Sequence, residues 1–213
     1  MLQFITNSAI PTVVIDQAVA AMEGGCKWVQ LRMKNVERDV VVATARELKP
    51  LCAQHECILI VDDLVDVAKE LQLDGVHLGK NDMSPSQARL ILGMGAIIGA
   101  TANTFDDISR LATQDIDYIG LGPYKFTKTK SNLSPILGLD GYASIMSQCR
   151  KNKIFIPTVA IGGIEYGDIE GIMNTGVNGV AVSGAIIGAF DPISETRRMI
   201  SLLQELVDKR LNK

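Results

Sequence analysis

The sequence predicts a single α/β domain folded as a (β/α)8 TIM barrel, with its active site at the C-terminal ends of the strands. Eight short apolar runs alternate with eight amphipathic helical patterns from end to end, and parallel strands buried on both faces need helices to cover them. The length of 213 residues suits one such barrel, since these domains take about 200 to 250 residues. A doubly wound open sheet is the alternative. It would use fewer strands, and the first run lacks the Gly-x-Gly-x-x-Gly turn that follows the first strand of a dinucleotide fold.

The predicted strands are short, mainly apolar runs of ordinary strand length. They cover residues 2–5, 28–31, 58–61, 75–78, 96–100, 118–121, 157–161 and 179–182. Their continuous apolar content is typical of strands that are buried on both faces.

The predicted helices are the amphipathic segments between these runs. They cover residues 16–24, 37–54, 65–71, 84–92, 105–113, 139–151, 166–174 and 193–211. In the second of them Val41, Ala45, Leu48 and Cys52 recur at helical spacing. Ser84-Pro85 predicts an N-cap followed by proline at the first helical position.

Composition excludes several classes of protein. The chain is 47% hydrophobic and 21% charged, which is typical of globular proteins rather than disordered ones. No run reaches the roughly 18 apolar residues of a membrane helix, and we expect a cytoplasmic protein without a signal peptide. Lys and Arg are scattered and the net charge is −3, so a nucleic-acid surface is not expected. The four cysteines form no Cys-x-x-Cys pair, which predicts reduced thiols.

The most basic loop of the chain follows the sixth predicted strand. Residues 122–130 read GPYKFTKTK, with a Gly-Pro break, two threonine hydroxyls and three lysines. Hydroxyls and ammonium groups are what a site needs to hold phosphate oxygens. The alternative is a solvated surface loop. We expect Thr127, Thr129 and Lys130 to contribute to an anion site.

A second cationic segment follows the second strand. Gln30, Arg32 and Lys34 alternate with apolar residues and therefore point to the same side. After the third and fourth strands come the carboxylates Asp62-Asp63 and Asp82. Hard oxygen ligands near a bound diphosphate suit Mg²⁺, whereas the alternative for Asp62-Asp63 is a helix N-cap.

Polar groups at the remaining strand ends complete the predicted site. Thr101 follows the fifth strand and offers a neutral hydrogen bond. Gly162-Gly163 and Ser183-Gly184 follow the seventh and eighth strands, where such barrels bind a phosphate on backbone N–H groups. We expect His77, inside the fourth strand, to be a core histidine with a backbone partner. Two phosphate pockets without a Ser-His-Asp or Cys-His arrangement predict group transfer with diphosphate as the leaving group.

The chain resembles the thiamine phosphate synthase family, also called thiamine-phosphate pyrophosphorylase. The motifs that carry the resemblance are VQLRMK at 29–34, DGVHLG at 74–79, DYIGLGP at 117–123, TKTK at 127–130 and VAIGGI at 159–164. The resemblance implies a transferase that joins hydroxymethylpyrimidine diphosphate to hydroxyethylthiazole phosphate, two phosphorylated small molecules. It also implies Mg²⁺ as cofactor and a dissociative reaction. The oligomeric state stays open, and a homo-oligomer is compatible with the sequence.

The resemblance also assigns residues to the two substrates. For the pyrimidine diphosphate they are Gln30, Leu31, Arg32, Met33, Lys34, Asp62, Thr101 and Lys130. For the thiazole phosphate they are Thr127, Lys128, Thr129, Gly163, Ser183 and Gly184, and for Mg²⁺ they are Asp63 and Asp82. Lys130, Arg32 and Lys34 are expected to stabilise the departing diphosphate.

Departures from the family pattern keep two alternatives open. Asp62 stands where the family usually has Asn, Leu64 where a charged residue is common, and Gly184 where Ser is frequent. The first two favour a non-catalytic regulatory homologue that binds thiazole phosphate. The other alternative is a thiazole tautomerase, but that enzyme would need a histidine where Pro123 stands.

Overall fold

Eight parallel strands close into a barrel in the computed structural model of the chain, which describes residues 1–126 and 135–212. The strands are β1 Leu2–Ile5, β2 Trp28–Leu31, β3 Ile58–Asp62, β4 Gly75–Leu78, β5 Ile97–Ala102, β6 Tyr118–Leu121, β7 Thr158–Ile161 and β8 Gly179–Val182. Each strand pairs with the next, and β8 pairs with β1. The predicted barrel is confirmed, and the open-sheet alternative is wrong because closure leaves no sheet edge.

Helices cover the outside of the barrel, one or more after each strand. They are α1 Pro11–Glu23, α2 Arg38–Gln54, α3 Val65–Leu71, α4 Pro85–Leu92, α5 Phe105–Leu111, α6 Gly138–Lys151, α7 Ile169–Asn174, α8 Gly184–Ile187 and α9 Pro192–Leu211. Two features of the described residues differ from the prediction of eight helices. A short helix, α8, lies between β8 and α9, and a 3₁₀ turn at Tyr166–Asp168 precedes α7.

Local sequence explains where several helices begin. Helix α1 begins at Pro11, five residues before the predicted start. Proline suits this position because backbone N–H groups in the first turn have no acceptor within the helix, and proline has no N–H. The Ser84 side chain caps α4 as predicted, accepting a hydrogen bond from Gln87 N. Thr104 and Asp107 form a capping box at the start of α5.

The apolar core has two layers. The smaller layer is a cluster of six buried apolar residues inside the barrel, one each from β1, β2, β3, β6, β7 and β8: Ile5, Trp28, Ile60, Tyr118, Val159 and Ala181. The larger layer lies between barrel and helices, and all four cysteines are buried free thiols, as predicted. No helix in the described ranges is long and apolar enough to cross a membrane.

Polar side chains tie neighbouring strands together at the amino-terminal rim. Asp74, Asp117 and Asn178 each stand directly before a strand and accept a backbone N–H from the preceding one, at 2.7, 2.7 and 2.9 Å. Arg89 adds a 2.7 Å bond from Nη2 to Asp117. This end of the barrel is therefore fixed by structural contacts, which leaves the opposite rim for the site.

Candidate active site

A cavity of about 410 Å³ opens at the carboxyl-terminal end of the barrel. Parallel strands place all of their carboxyl ends on this rim, so residues far apart in sequence meet there. Predicted site residues in its lining are Gln30, Arg32, Asp62, Gly163, Ser183 and Gly184. Ile5, Ile161 and Ala181 add apolar surface on one side.

Asp62 lies at the centre of a buried cluster on one side of the cavity. It ends β3 rather than following it, because its backbone pairs with His77 of β4. Its Oδ1 accepts a 2.6 Å hydrogen bond from Gln30 Nε2. Its Oδ2 lies 3.3 Å from Arg32 Nε and 3.0 Å from Lys34 Nζ. Gln30, Arg32 and Lys34 therefore converge as their alternation predicted, but on this carboxylate.

Burial and neighbouring charges together shift the pKa values of Asp62 and Lys34. Burial raises the pKa of Asp62, and the neighbouring Asp63 adds to the shift. For Lys34 burial acts in the opposite direction, but Asp62 and Asp63 outweigh it and raise the pKa of the ammonium group. Arg32 is buried and Lys34 is half-exposed beside it, and two basic side chains at this end of the cavity suit the binding of an anion.

Asp63 and Asp82 form a second carboxylate contact at the outer edge of the cluster. Asp63 has φ of 64°, in the left-handed region, and its side chain bonds to Lys34. Burial and the nearby Asp63 raise the pKa of Asp82 to about 6, while Asp82 and Lys34 outweigh burial and lower the pKa of Asp63. Two carboxylates in contact, one favouring protonation, fit a divalent cation, which would neutralise both.

The carboxylates do not form an all-protein metal cage. Among the described residues there is no group of three or more His, Cys, Asp or Glu side chains that could hold a metal. Mg²⁺ often uses only one or two carboxylates and completes its shell with water and substrate phosphate. The N-cap interpretation of Asp62-Asp63 is wrong, since Leu64 occupies the N-cap of α3 and makes no side-chain capping bond.

Within the described residues, both ring nitrogens of His77 contact side chains, where we expected a backbone partner. Its Nδ1 lies 2.7 Å from the Tyr118 hydroxyl, and its Nε2 lies 3.0 Å from Thr101 Oγ1. The ring lines the cavity although it is only 5% exposed. Thr101 lies inside β5, which extends two residues beyond its predicted end because Thr101 and Ala102 still pair with β6.

Glycines shape the opposite side of the cavity. Tyr124 N and Lys125 N donate hydrogen bonds of 2.9 Å to Ile161 O and Gly162 O, so the loop after β6 runs alongside the end of β7. Gly163 has φ of 68°, and a Cβ on it would lie 2.8 Å from Phe126 O. Only glycine suits this turn.

Ser183 and Gly184 follow β8 on the same side. The Ser183 hydroxyl is buried and has no hydrogen-bond partner within the described residues. A Cβ on Gly184 would meet nothing within 4 Å, so the backbone at the start of α8 is open to the cavity. An unpaired buried hydroxyl beside open backbone suits a ligand oxygen.

Other predicted site residues do not face the cavity or lie outside the described ranges. The side chains of Leu31 and Met33 are buried in the layer between barrel and helices, because alternation turns them away from Gln30 and Arg32. Any contact that they make with a ligand must come from their backbone. Thr127, Lys128, Thr129 and Lys130 lie outside the described residues.

Sequence reasoning missed two contributors to the cluster. The Thr6 hydroxyl exchanges hydrogen bonds with the backbone of Arg32, accepting from its N–H at 2.8 Å and donating to its carbonyl at 3.1 Å. Asn7 Oδ1 accepts a 3.4 Å bond from Arg32 Nη1. Both follow β1 directly, so the rule applied to the other strand ends would have found them.

Comparison with known proteins agrees with this geometry. Residues 2–186 match the family described as Thiamine monophosphate synthase. The chain is 52% identical over 201 residues to a thiamine-phosphate synthase of Bacteroides thetaiotaomicron, covering 94% of this chain and 96% of the relative. It is 54% identical over 201 residues to one from Bacteroides fragilis, with 94% and 98% covered. A solved structure titled thiamine phosphate pyrophosphorylase from Pyrococcus furiosus has a TM-score of 0.84 at 30% identity and covers 96% of both chains.

The barrel, the order of motifs along it and identities above one half over most of the chain agree with one another, and the chain belongs to the thiamine monophosphate synthase family.

Proposed function

We propose that this protein is a thiamine phosphate synthase, which joins hydroxymethylpyrimidine diphosphate to hydroxyethylthiazole phosphate and releases diphosphate. The observation that carries the proposal is one cavity with two chemically different ends. Cations and carboxylates form one end, around Arg32, Lys34 and Asp62. Glycine turns and the unpaired Ser183 hydroxyl form the other. A reaction between a diphosphate and a monophosphate needs this pair of sites.

The cationic end suits the diphosphate substrate. Arg32 and Lys34 would exchange part of their contact with Asp62 for phosphate oxygens, and Arg32 stays oriented by Thr6 and Asn7. Gln30 is fixed through its amide nitrogen by Asp62, and its buried Oε1 has no partner within the described residues. That oxygen can accept a hydrogen bond from an amino group on the pyrimidine ring.

Mg²⁺ fits this end of the cavity. Asp63 and Asp82 would hold it, and the ion would supply positive charge to the diphosphate as it leaves. The donor set matches, because the two carboxylates already lie in contact and share the stabilisation that Lys34 provides.

The glycine-rich end suits the thiazole phosphate. Backbone N–H groups near Gly163 and Gly184, together with the Ser183 hydroxyl, would hold the phosphate oxygens. Lys125 is engaged elsewhere, since its Nζ lies 2.7 Å from Asp168 Oδ1. We assign Thr127, Lys128 and Thr129 to the same phosphate from the sequence.

The reaction that we propose is dissociative. The bond between the pyrimidine methylene carbon and the diphosphate oxygen breaks, and the electron pair leaves with the diphosphate. The thiazole nitrogen then donates its lone pair to the pyrimidine methyl cation and forms the new C–N bond. Arg32, Lys34 and Lys130 stabilise the developing negative charge, and the monophosphate pocket aligns the acceptor. No protein nucleophile is required.

Turnover by the purified protein tests this proposal. We expect thiamine phosphate and diphosphate in equal amounts when both substrates and Mg²⁺ are supplied, and loss of turnover when a chelator removes the metal. Retained binding of thiazole phosphate without any turnover would instead support the regulatory alternative. Proton exchange on a thiazole substrate in place of condensation would support the tautomerase alternative.

The role of Lys130 is tested by Lys130→Ala. We expect a fall in kcat of about a hundredfold, the loss typical of one transition-state donor, with thiazole phosphate binding retained. Lys125→Ala is the matched control, because Lys125 is paired with Asp168, and it should keep kcat near the parent value. Equal kcat in Lys130→Ala and the parent would refute the role.

A further inference from the structure

We propose that Gln3, Tyr118 and His77 form a positioning relay that fixes the hydrogen-bond polarity of Thr101, so that its hydroxyl donates to the pyrimidine diphosphate. The inference deepens the proposed function and rests on it. Thr101 is the residue that would touch substrate, and the other three act through it.

The relay is a continuous chain of hydrogen bonds across the barrel. Gln3 Nε2 donates to the Tyr118 hydroxyl oxygen at 3.1 Å. The same hydroxyl lies 2.7 Å from His77 Nδ1, and His77 Nε2 lies 3.0 Å from Thr101 Oγ1. Gln3 and Tyr118 are each 2% exposed and His77 is 5% exposed, so water has little access to most of the chain. Thr101 lies at the other end of the relay, one residue before the carboxyl-terminal end of β5.

The direction of the hydrogen bond from Gln3 to Tyr118 determines the directions of the next two bonds in the relay. Tyr118 has one proton, and burial raises the pKa of its hydroxyl, so that proton stays in place. Because the oxygen accepts from Gln3, its own proton is directed to Nδ1 of His77. A neutral imidazole whose Nδ1 accepts has its proton on Nε2. His77 therefore donates to Thr101 Oγ1, and the Thr101 proton is left to point away from the ring.

The strands are built to hold this arrangement. A Cβ at Gly99 would lie 2.1 Å from Tyr118 Cε1, and one at Gly120 would lie 2.9 Å from His77 Cε1. Any larger residue at either position would displace a ring. Trp28 packs edge-on against Tyr118, with centroids 4.7 Å apart. Two glycines inside strands thus make room for the two rings of the relay.

The polarity matters because the leaving group is an anion. A threonine hydroxyl that donates stabilises the departing diphosphate, whereas one that turns its proton toward His77 presents lone pairs and repels it. Gln3 lies far from the reacting atoms in the chain of contacts. It nevertheless decides which of these two hydroxyl orientations is favoured.

Nitrogen-15 NMR of histidine-labelled protein reads the polarity directly. The chain has only two histidines, so His55→Gln assigns the His77 signals. At about pH 8.5 an ordinary imidazole is neutral, and we expect an imine-type shift on Nδ1 and a pyrrole-type shift on Nε2. The opposite assignment would overturn the proposal, whatever the protein's activity.

Kinetics tests whether the polarity acts through Thr101. Tyr118→Phe removes the bond to Nδ1, and Thr101→Val removes the donor. We expect each to lower kcat by about tenfold, the loss of one hydrogen bond to a charged group, with the KM for thiazole phosphate unchanged. The double variant should be no worse than Thr101→Val alone. Multiplied losses would mean that Tyr118 acts independently of Thr101 and would refute the relay.

Gln3→Glu provides a second test, since a carboxylate can only accept. Tyr118 must then donate to residue 3, and we expect the His77 shifts to change toward the Nδ1-protonated form. An unchanged tautomer in folded Gln3→Glu protein would refute the relay. If this variant does not fold, the NMR of the parent and the Tyr118→Phe cycle still decide the question. Absence of turnover in the parent would refute the proposed function alone, because the NMR result does not depend on turnover.

Discussion

Asp62→Asn is expected to strengthen diphosphate binding and at the same time to destabilise the unliganded protein. The Asp62 carboxylate lies against both cations of the proposed diphosphate site, 3.3 Å from Arg32 Nε and 3.0 Å from Lys34 Nζ. A bound diphosphate must share those cations with it. Asparagine has the same shape and can still accept the hydrogen bond from Gln30, so the substitution removes charge and little else.

The distances give the size of the effect on binding. A phosphate oxygen about 2.8 Å from Lys34 Nζ would lie roughly 6 Å from the carboxylate on the far side of the ammonium group. Repulsion between unit charges at that separation is about 3 kcal/mol at an effective dielectric constant of about 20. Solvent reaches Lys34, whose side chain is 46% exposed, and screening reduces the effect to about half. We therefore expect about tenfold tighter binding of diphosphate.

Stability should change in the opposite direction. The Arg32 side chain is only 9% exposed, and a buried guanidinium that loses its carboxylate is costly, by about 3 kcal/mol. We expect a lower midpoint of thermal unfolding without ligand and a larger upward shift when diphosphate is added. Both effects follow from the removal of one charge.

Titration calorimetry with inorganic diphosphate, with and without Mg²⁺, measures the first effect, and a thermal unfolding series measures the second. The titration belongs at about pH 8, because burial raises the pKa of Asp62. Asp66→Asn is the matched control: Asp66 pairs with Arg38 on the surface, away from the cavity. Unchanged or weaker diphosphate binding in Asp62→Asn would refute the reasoning that Asp62 competes for these cations.

Three further substitutions test separately the proposed thiazole phosphate pocket and the structural contacts at the opposite rim. Ser183→Ala should raise the KM for thiazole phosphate about tenfold, the value of one hydrogen bond to a charged group, and leave the calorimetric affinity for diphosphate unchanged. Gly163→Ala places a Cβ 2.8 Å from Phe126 O at a positive φ, so the same KM should rise by more than tenfold. Asp117→Ala removes the Arg89 contact at the opposite rim and should lower the free energy of unfolding in urea by about 2 kcal/mol, with both KM values unchanged.

The fold could be predicted from the sequence because each barrel unit repeats the same local signal. Five strands, β1, β2, β4, β6 and β8, have the predicted bounds, because polar or glycine residues end each apolar run. The ends of β3 and β5 were misplaced. Asp62 and Thr101 are polar and look like loop residues, but backbone pairing with the neighbouring strand keeps both in the sheet.

The sequence predicted which side chains converge at the rim better than it predicted the contacts between them. Alternation correctly predicted that Gln30, near the end of β2, and Arg32 and Lys34, which follow it, lie on one side of the chain. It could not reveal that Asp62, which follows 32 positions after Gln30, would accept from all three. That contact depends on the register between β2 and β3, and register is a tertiary property that no short pattern encodes.

The contacts of His77 also depend on tertiary structure that its own strand pattern does not predict. A histidine inside an apolar strand is most often a satisfied core residue, and His77 is indeed buried and hydrogen-bonded. Its partners, however, come from β5 and β6, and their positions depend on how neighbouring strands stack their side chains in the barrel. A residue that its own strand pattern assigns to the core can therefore line the cavity.

The two clusters at the rim suggest why the cavity can be so polar and still fold. Without substrate, the cations that would bind diphosphate are held by Asp62 and Asp63, so neither charge is buried alone. The same pairing orients Arg32 and Lys34 before substrate arrives, which lowers the entropy lost on binding. Its cost is competition with the diphosphate. An asparagine at position 62 would shift that balance toward affinity and away from the stability of the empty site.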